Sequence, residues 1–169
     1  MTPNSPRRTS LLVSFFAFVL AAGCGNGDAP AAGAEAPGGG EVAFANELNV
    51  DLSEMTRTET GLYIQDEAEG EGEPVRPGNA VLVHYTGWLP NGMKFDSSLD
   101  RNEPFVVSPV GTAQVIAGWN EGLQGMRPGG RRLLVLPPNL AYGETGTLGG
   151  PIPPNATLVF RVELLQILP

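Results

Sequence analysis

Residues 83–98 read VHYTGWLPNGMKFDSS. They continue a run, AVLVHYTGWL (80–89), in which Val81, Val83 and Tyr85 alternate with Leu82 and His84. A period of two marks a β-strand, because successive side chains point to opposite faces. Asn91-Gly92 then supplies residues that accept the positive φ of a tight hairpin turn. MKFDSS (93–98) returns as the partner strand. The stretch also holds the chain's only histidine, close to Tyr85 and Asp96. That trio suggests acid/base catalysis, but the alternation puts His84 on the face opposite Tyr85. There it reads as a structural residue, satisfied locally or solvated.

The same periodicity organises the flanking sequence. GLYIQDEAEG (61–70) sets Leu62 and Ile64 on one face, and PFVVSP (104–109) and RRLLVLP (131–137) read as further strands. In TLVFRVELLQIL (157–168), Leu158, Phe160, Val162 and Leu164 face one way while Arg161 and Glu163 face the other. One helix is expected in AQVIAGWNEGLQGM (113–126), where Ile116, Trp119 and Leu123 form an apolar stripe at i, i+3, i+7. Gly118, Gly122 and Gly125 weaken it by roughly 1 kcal/mol each against alanine, so it should be short and depend on packing. Between the last two strands lies a long loop, PNLAYGETGTLGGPIPPNA (138–156); loops of that length in compact domains are usually functional. The sum is an α+β domain over residues 61–169: a curved antiparallel β-sheet of about five strands wrapped around one short α-helix.

The N-terminal side has a different composition. Arg7 and Arg8 precede an apolar run, Leu11 to Leu20, followed by Ala21, Ala22, Gly23 and the only cysteine, Cys24. The run is short for a mature membrane span. The pattern resembles a bacterial lipoprotein signal, which implies cleavage after residue 23 and lipidation of Cys24. An ordinary secretory signal with an incidental cysteine is the plainer alternative, and RRTS is a weak match to twin-arginine export. Residues 24–41, rich in Gly, Ala and Pro, bury no core and read as a flexible tether. Residues 42–60, with scattered apolar Phe44, Leu48, Val50, Leu52 and Met55, either pack on the domain or form a short helix.

Charge and cysteine content exclude several functions. Net charge is −8, and it becomes −10 when Arg7 and Arg8 leave with a segment that carries no acid. Such an acidic chain is a poor nucleic-acid ligand, so any membrane link rests on the lipid. One cysteine forbids an intramolecular disulfide, and one histidine with no free thiol makes a zinc site a poor expectation.

The stretches VHYTGWLPNGMKFDSS, RNEPF, VIAGWNEGLQGMRPGGRR, AYGETG and IPPNATLVFRVELL occur in this order from about Thr60 to Pro169. In that order they resemble the FKBP-type peptidyl-prolyl isomerases, the macrolide-binding immunophilins. The resemblance implies an active site in the hollow between helix and sheet. Tyr85, Phe95 and Phe105 would form its walls, Trp119 its floor, and Ile152 and Phe160 would close it. Val115 and Ile116 would flank it, with the Ile116 N–H offered to a substrate carbonyl. Asp96 would lie at the rim near Arg101, and Tyr142 would donate its hydroxyl, so that Tyr85, Asp96 and Tyr142 are the catalytic candidates. Without the resemblance, the aromatics read first as core and Asp96 as a turn cap.

The implied activity is X-Pro isomerisation in unfolded or partly folded exported proteins, with no cofactor and no metal. Macrolides such as tacrolimus or rapamycin would inhibit it, and a monomer is expected. The implied location is extracytoplasmic, lipid-anchored at Cys24. In a two-membrane cell the periplasmic side of the outer membrane is favoured, since Gly25 is not the aspartate that retains lipoproteins at the inner membrane. The loop 144–154 is one residue longer than in the smallest members, with Thr147 where they often carry histidine. That bears on substrate preference. An isomerase-like holdase without activity is the reading from another class.

Overall fold

The computed structural model describes residues 42–169; the signal segment, Cys24 and the tether lie outside them. Seven strands, β1 (Thr56–Arg57), β2 (Tyr63–Ala68), β3 (Ala80–Trp88), β4 (Lys94–Ser97), β5 (Phe105–Val107), β6 (Arg131–Leu136) and β7 (Leu158–Leu168), build one sheet among these residues. Its order is β1-β2-β6-β7-β3-β4, with β5 also pairing β3. Every pairing is antiparallel. Each stretch read as a strand forms one, PFVVSP as the short β5, and the two-residue β1 is the strand that the periodicity did not announce. The central pair is β3 with β7, registered from Ala80↔Leu168 to Trp88↔Val159.

One α-helix, α1 (Ala117–Gly122), lies on the inner face. It is shorter than the 113–126 periodicity, and Ile116 stands at its N-cap with extended backbone. Leu62, Val81, Val83, Leu134, Leu136, Leu158 and Leu164 pack beneath it, essentially without exposure. Each such side chain contributes about 1.5–3 kcal/mol by leaving water. The helix glycines have a packing role that propensity hides. A Cβ on Gly118 would sit 2.4 Å from Leu136 Cδ2, and one on Gly122 would sit 2.8 Å from Leu134 Cδ1. Hydrogen at these positions lets the helix backbone lie directly on β6. At the helix end, buried Arg132 donates from Nη1 to the carbonyls of Gly122 and Gln124, both at 2.8 Å. Its Nε and Nη2 donate to Asp66 at 2.6 and 3.0 Å. Orphan carbonyls of a helix C-terminus thereby find a cationic donor.

The outer face of the sheet is covered as well. Leu48 and Met55 bury against Leu133, Val135 and Val159, with Phe44, Ala45, Val50, Leu52, Tyr63 and Trp88 packed around them. Residues 42–60 therefore do both things the sequence allows: they form a 3₁₀ turn, Asn46–Leu48, and they pack on the domain.

Candidate functional site

The hollow between α1 and the sheet is lined by aromatic rings from five elements. Trp119 of α1 is 4% exposed. Tyr85 meets it edge-on at 4.9 Å between centroids, Phe160 at 5.4 Å and Phe105 at 6.0 Å. Phe95 stands edge-on to Phe160 at 5.6 Å. Such T-shaped pairs contribute about 0.5–1.5 kcal/mol each beyond burial. Val115 and Ile116 are half-buried against the same cluster, and Ile152 is buried within it.

Two local features make this arrangement possible. Gly87 on β3 leaves room for rings: a Cβ there would lie 2.6 Å from Phe95 and 2.7 Å from Phe160. The β3–β4 register also slips, pairing Gly87 with Asp96 but Trp88 with Lys94, so Phe95 is the extra residue of a β-bulge. In a regular strand, adjacent Phe95 and Asp96 would point to opposite faces. A bulge re-aims a side chain, and both residues turn into the hollow.

Charge collects at one rim. The Tyr85 hydroxyl donates to Asp96 Oδ2 at 2.6 Å. Arg101 pairs with Asp96 Oδ1 and donates from Nη2 to the Tyr85 oxygen at 3.0 Å. Partial burial alone would push the Asp96 carboxyl up. The hydrogen bonds from Tyr85 and Arg101, together with the guanidinium charge, outweigh that and hold it below the usual carboxylate range. Burial, and then the bond to Asp96, pushes the Tyr85 hydroxyl above its ordinary value. The rim is thus a neutral phenol between a fixed anion and a fixed cation, with no group poised to exchange protons near neutrality.

Donors remain on the other side. Tyr142 is 41% exposed. Burial, and then the charge of Asp96, raises its hydroxyl. Among the described residues the Ile116 N–H has no backbone acceptor. Trp119 Nε1 is buried and also lacks a partner among the described residues. Above Tyr142 the loop is closed by Thr147 N–H to Ile152 O at 2.9 Å and Ile152 N–H to Thr147 Oγ1 at 3.1 Å.

Tyr85, Phe95, Asp96, Arg101, Phe105, Trp119 and Phe160 touch one another, while Val115, Ile116 and Ile152 pack beside them. Tyr142 stands close enough to feel the Asp96 charge. His84 is apart: its Nδ1 lies 2.9 Å from Ser98 Oγ, which also accepts the Tyr85 N–H at 2.8 Å. Sequence reasoning assigned no role to Ser98, Gly87 or Asn120. The Asn120 amide accepts from Gly111 N–H and Ala113 N–H and donates to Ala113 O, at 2.9–3.0 Å. It ties down the segment that leads to Val115 and Ile116. The only advance signal was Asn120's place beside Trp119. Two other clefts, one around Asp66, Glu69, Arg127 and Arg132 and one around Asn46, Asp51 and Glu54, are polar and share no residue with the hollow. Among the described residues no three metal-ligating side chains gather.

An apolar slot with a locked rim and free donors can hold a small ring and a carbonyl, and it lacks a nucleophile. Residues 71–165 match the sequence model of a family described as FKBP-type peptidyl-prolyl cis-trans isomerase. An FK506-binding protein of Neisseria meningitidis serogroup B is 53% identical over 107 residues, 63% of this chain and 96% of the relative. The isomerase FkpA of Escherichia coli K12 is 45% identical over 126 residues, 75% of this chain and 43% of FkpA. The FkpA crystal structure superposes with a TM-score of 0.62 at 44% identity, covering 69% of this chain and 52% of that one. The AtFKBP13 crystal structure gives 0.62 at 37% identity, covering 68% and 99%.

Proposed function

The chain belongs to the FKBP-type peptidyl-prolyl cis-trans isomerase family and is an isomerase of that kind, and on this premise we propose that it accelerates X-Pro rotation in exported polypeptides, at the slot floored by Trp119, without cofactor or covalent intermediate. The observation that carries the reading is the ring of Tyr85, Phe105, Trp119 and Phe160 closed on one rim by Tyr85, Asp96 and Arg101.

Rotation about an amide breaks its resonance, at a barrier of about 18–20 kcal/mol. For X-Pro bonds this means tens to hundreds of seconds. The planar amide is the more dipolar form, and water stabilises it more than the twisted form. An apolar slot removes that preference. Seating the proline ring on Trp119 fixes the geometry and converts binding energy into rate. A 10⁵-fold acceleration asks for about 7 kcal/mol. Tyr142 Oη–H and the Ile116 N–H supply donors to the substrate carbonyls. Asp96 holds Tyr85 and Arg101 in place and takes no proton.

The segment ending at Cys24 supports lipid attachment there, with the domain outside the cytoplasm and, in a two-membrane cell, on the periplasmic side of the outer membrane. The chain then acts as a monomer on proline-containing exported proteins. The names of the FK506-binding relatives support tacrolimus as a competitor for the slot. Proline-limited refolding of a model protein at catalytic enzyme concentration tests the activity. Acceleration that tacrolimus abolishes is expected; an unchanged refolding rate refutes it. Radiolabelled palmitate on the wild type and not on Cys24→Ser tests the anchor.

A further inference from the structure

The β-bulge that aims Phe95 and Asp96 is where the β3–β4 hairpin is held least by its own ladder, since a bulged residue is left unpaired. The turn beyond the bulge is gripped from outside. The Ala45 N–H donates to Pro90 O at 2.8 Å. Gly92 lies under the same segment: a Cβ there would be 2.5 Å from Glu47 Oε1 and 3.2 Å from Ala45 Cβ. Three residues on, the Leu48 carbonyl accepts from Arg161 at 3.5 Å. Arg161 in turn sits over the Trp88 ring at 5.8 Å and pairs with Glu67 at 2.8 Å. Trp88 adjoins Gly87, on whose inner face Phe95 and Phe160 lie. The backbone at 87–88 is thus clamped by the site on one side and by residues 44–48 on the other.

We propose that residues 44–48 are a positioning strap: by gripping the Leu89–Met93 turn they fix the bulge, hold Phe95 and Asp96 in the slot, and so set the isomerisation rate. The proposal rests on the isomerase reading above, and its test keeps the two separable.

Ala45 has φ −62°, the value that proline fixes. Ala45→Pro in the full chain therefore deletes the donor to Pro90 and leaves the local backbone path. Met55→Ala serves as the comparison, because Met55 belongs to the same outer cluster and its N–H donates to Leu52 O instead of to the turn. Ala45→Gly keeps the N–H and serves as rescue. Amide hydrogen exchange at residues 93–96 and kcat/KM on an X-Pro peptide are measured for all three. Ala45→Pro should speed exchange at 93–96 at least ten-fold and lower kcat/KM about three- to ten-fold. Met55→Ala should lower Tm and move neither readout, and Ala45→Gly should stay near wild type. Exchange at 93–96 unmoved by Ala45→Pro overturns the strap, and so does raised exchange with an unchanged kcat/KM. An inactive wild-type chain whose exchange responds as expected refutes the function proposed above, while the grip on the bulge stands.

Discussion

Replacing Gly118 with alanine should destabilise the domain even though alanine is the better helix former. Propensity favours the change by about 1 kcal/mol. Packing opposes it: the new Cβ would lie 2.4 Å from Leu136 Cδ2 and 2.6 Å from its Cγ. Leu136 has no exposed surface, and a clash with a branch carbon is not relieved by turning a methyl group. Overpacking of a filled core costs about 1–3 kcal/mol, and a clash this deep belongs at the upper end. The net loss is about 1–2 kcal/mol, at roughly 4 °C in Tm per kcal/mol for a domain between 100 and 150 residues. Relief comes by lifting α1 off β6, which also lifts Trp119, so kcat/KM should fall several-fold. Gly122→Ala meets methyl groups of Leu134 at 2.8 Å and should come out near neutral. Thermal and denaturant unfolding with isomerase kinetics on both variants decide the matter. A Gly118→Ala protein more stable than wild type, or less damaged than Gly122→Ala, would refute the close-approach argument.

Asp96→Asn keeps the shape of the rim and removes the charge that orients Tyr85 and Arg101; kcat/KM should drop about ten-fold or more. Unfolding should move by no more than about 1 kcal/mol, the usual limit for an exposed pair, and full activity in this variant would remove Asp96 from the machinery. The pH profile follows from the two shifts. The depressed Asp96 carboxyl contributes stability that is present above its unfolded value near 4 and lost only as pH falls through the folded value. The raised Tyr85 contributes below about pH 10 and loses its share as pH rises through the folded value. Activity should therefore be flat from about pH 5 to 9, and His84→Gln should leave kcat/KM unchanged; a large loss of kcat/KM in His84→Gln would contradict the structural reading of His84. Arg132→Met should cost about 2–4 kcal/mol in urea unfolding, because it strands the carbonyls of Gly122 and Gln124 while the half-exposed Asp66 stays solvated, whereas Arg76→Met breaks an exposed pair and should cost under about 1 kcal/mol.

The inner face was legible because alternation is a local signal. Val81, Val83 and Tyr85, then Leu158, Phe160, Val162 and Leu164, declare one buried side without reference to any partner strand. The bulge at Phe95 was not legible, since it exists only in the register between β3 and β4, and register is a tertiary fact. Gly118 and Gly122 were read through helix propensity, an intrinsic cost, while their reason lies across the gap in Leu136 and Leu134. The outer cover had a signal that went unused. RRLLVL and TLVF are apolar on both faces, and strands buried on both faces read as continuous runs; Leu133, Val135 and Val159 were asking for the residues that Leu48 and Met55 supply. Arg132 hid because a basic residue at a strand start looks solvated until its four acceptors are seen.

The chain's two tryptophans sit on opposite sides of one strand's backbone, Trp88 beneath residues 42–55 and Trp119 in the slot. This gives the molecule two optical channels. The unpartnered indole of Trp119, walled by aromatic rings, emits from an apolar site and should change when a proline ring or a macrolide covers it. Trp88, under the cation of Arg161, should respond when the N-terminal segment lifts. Trp88→Phe leaves an occupancy reporter and Trp119→Phe a reporter of the outer cover, so both events can be followed without an added dye.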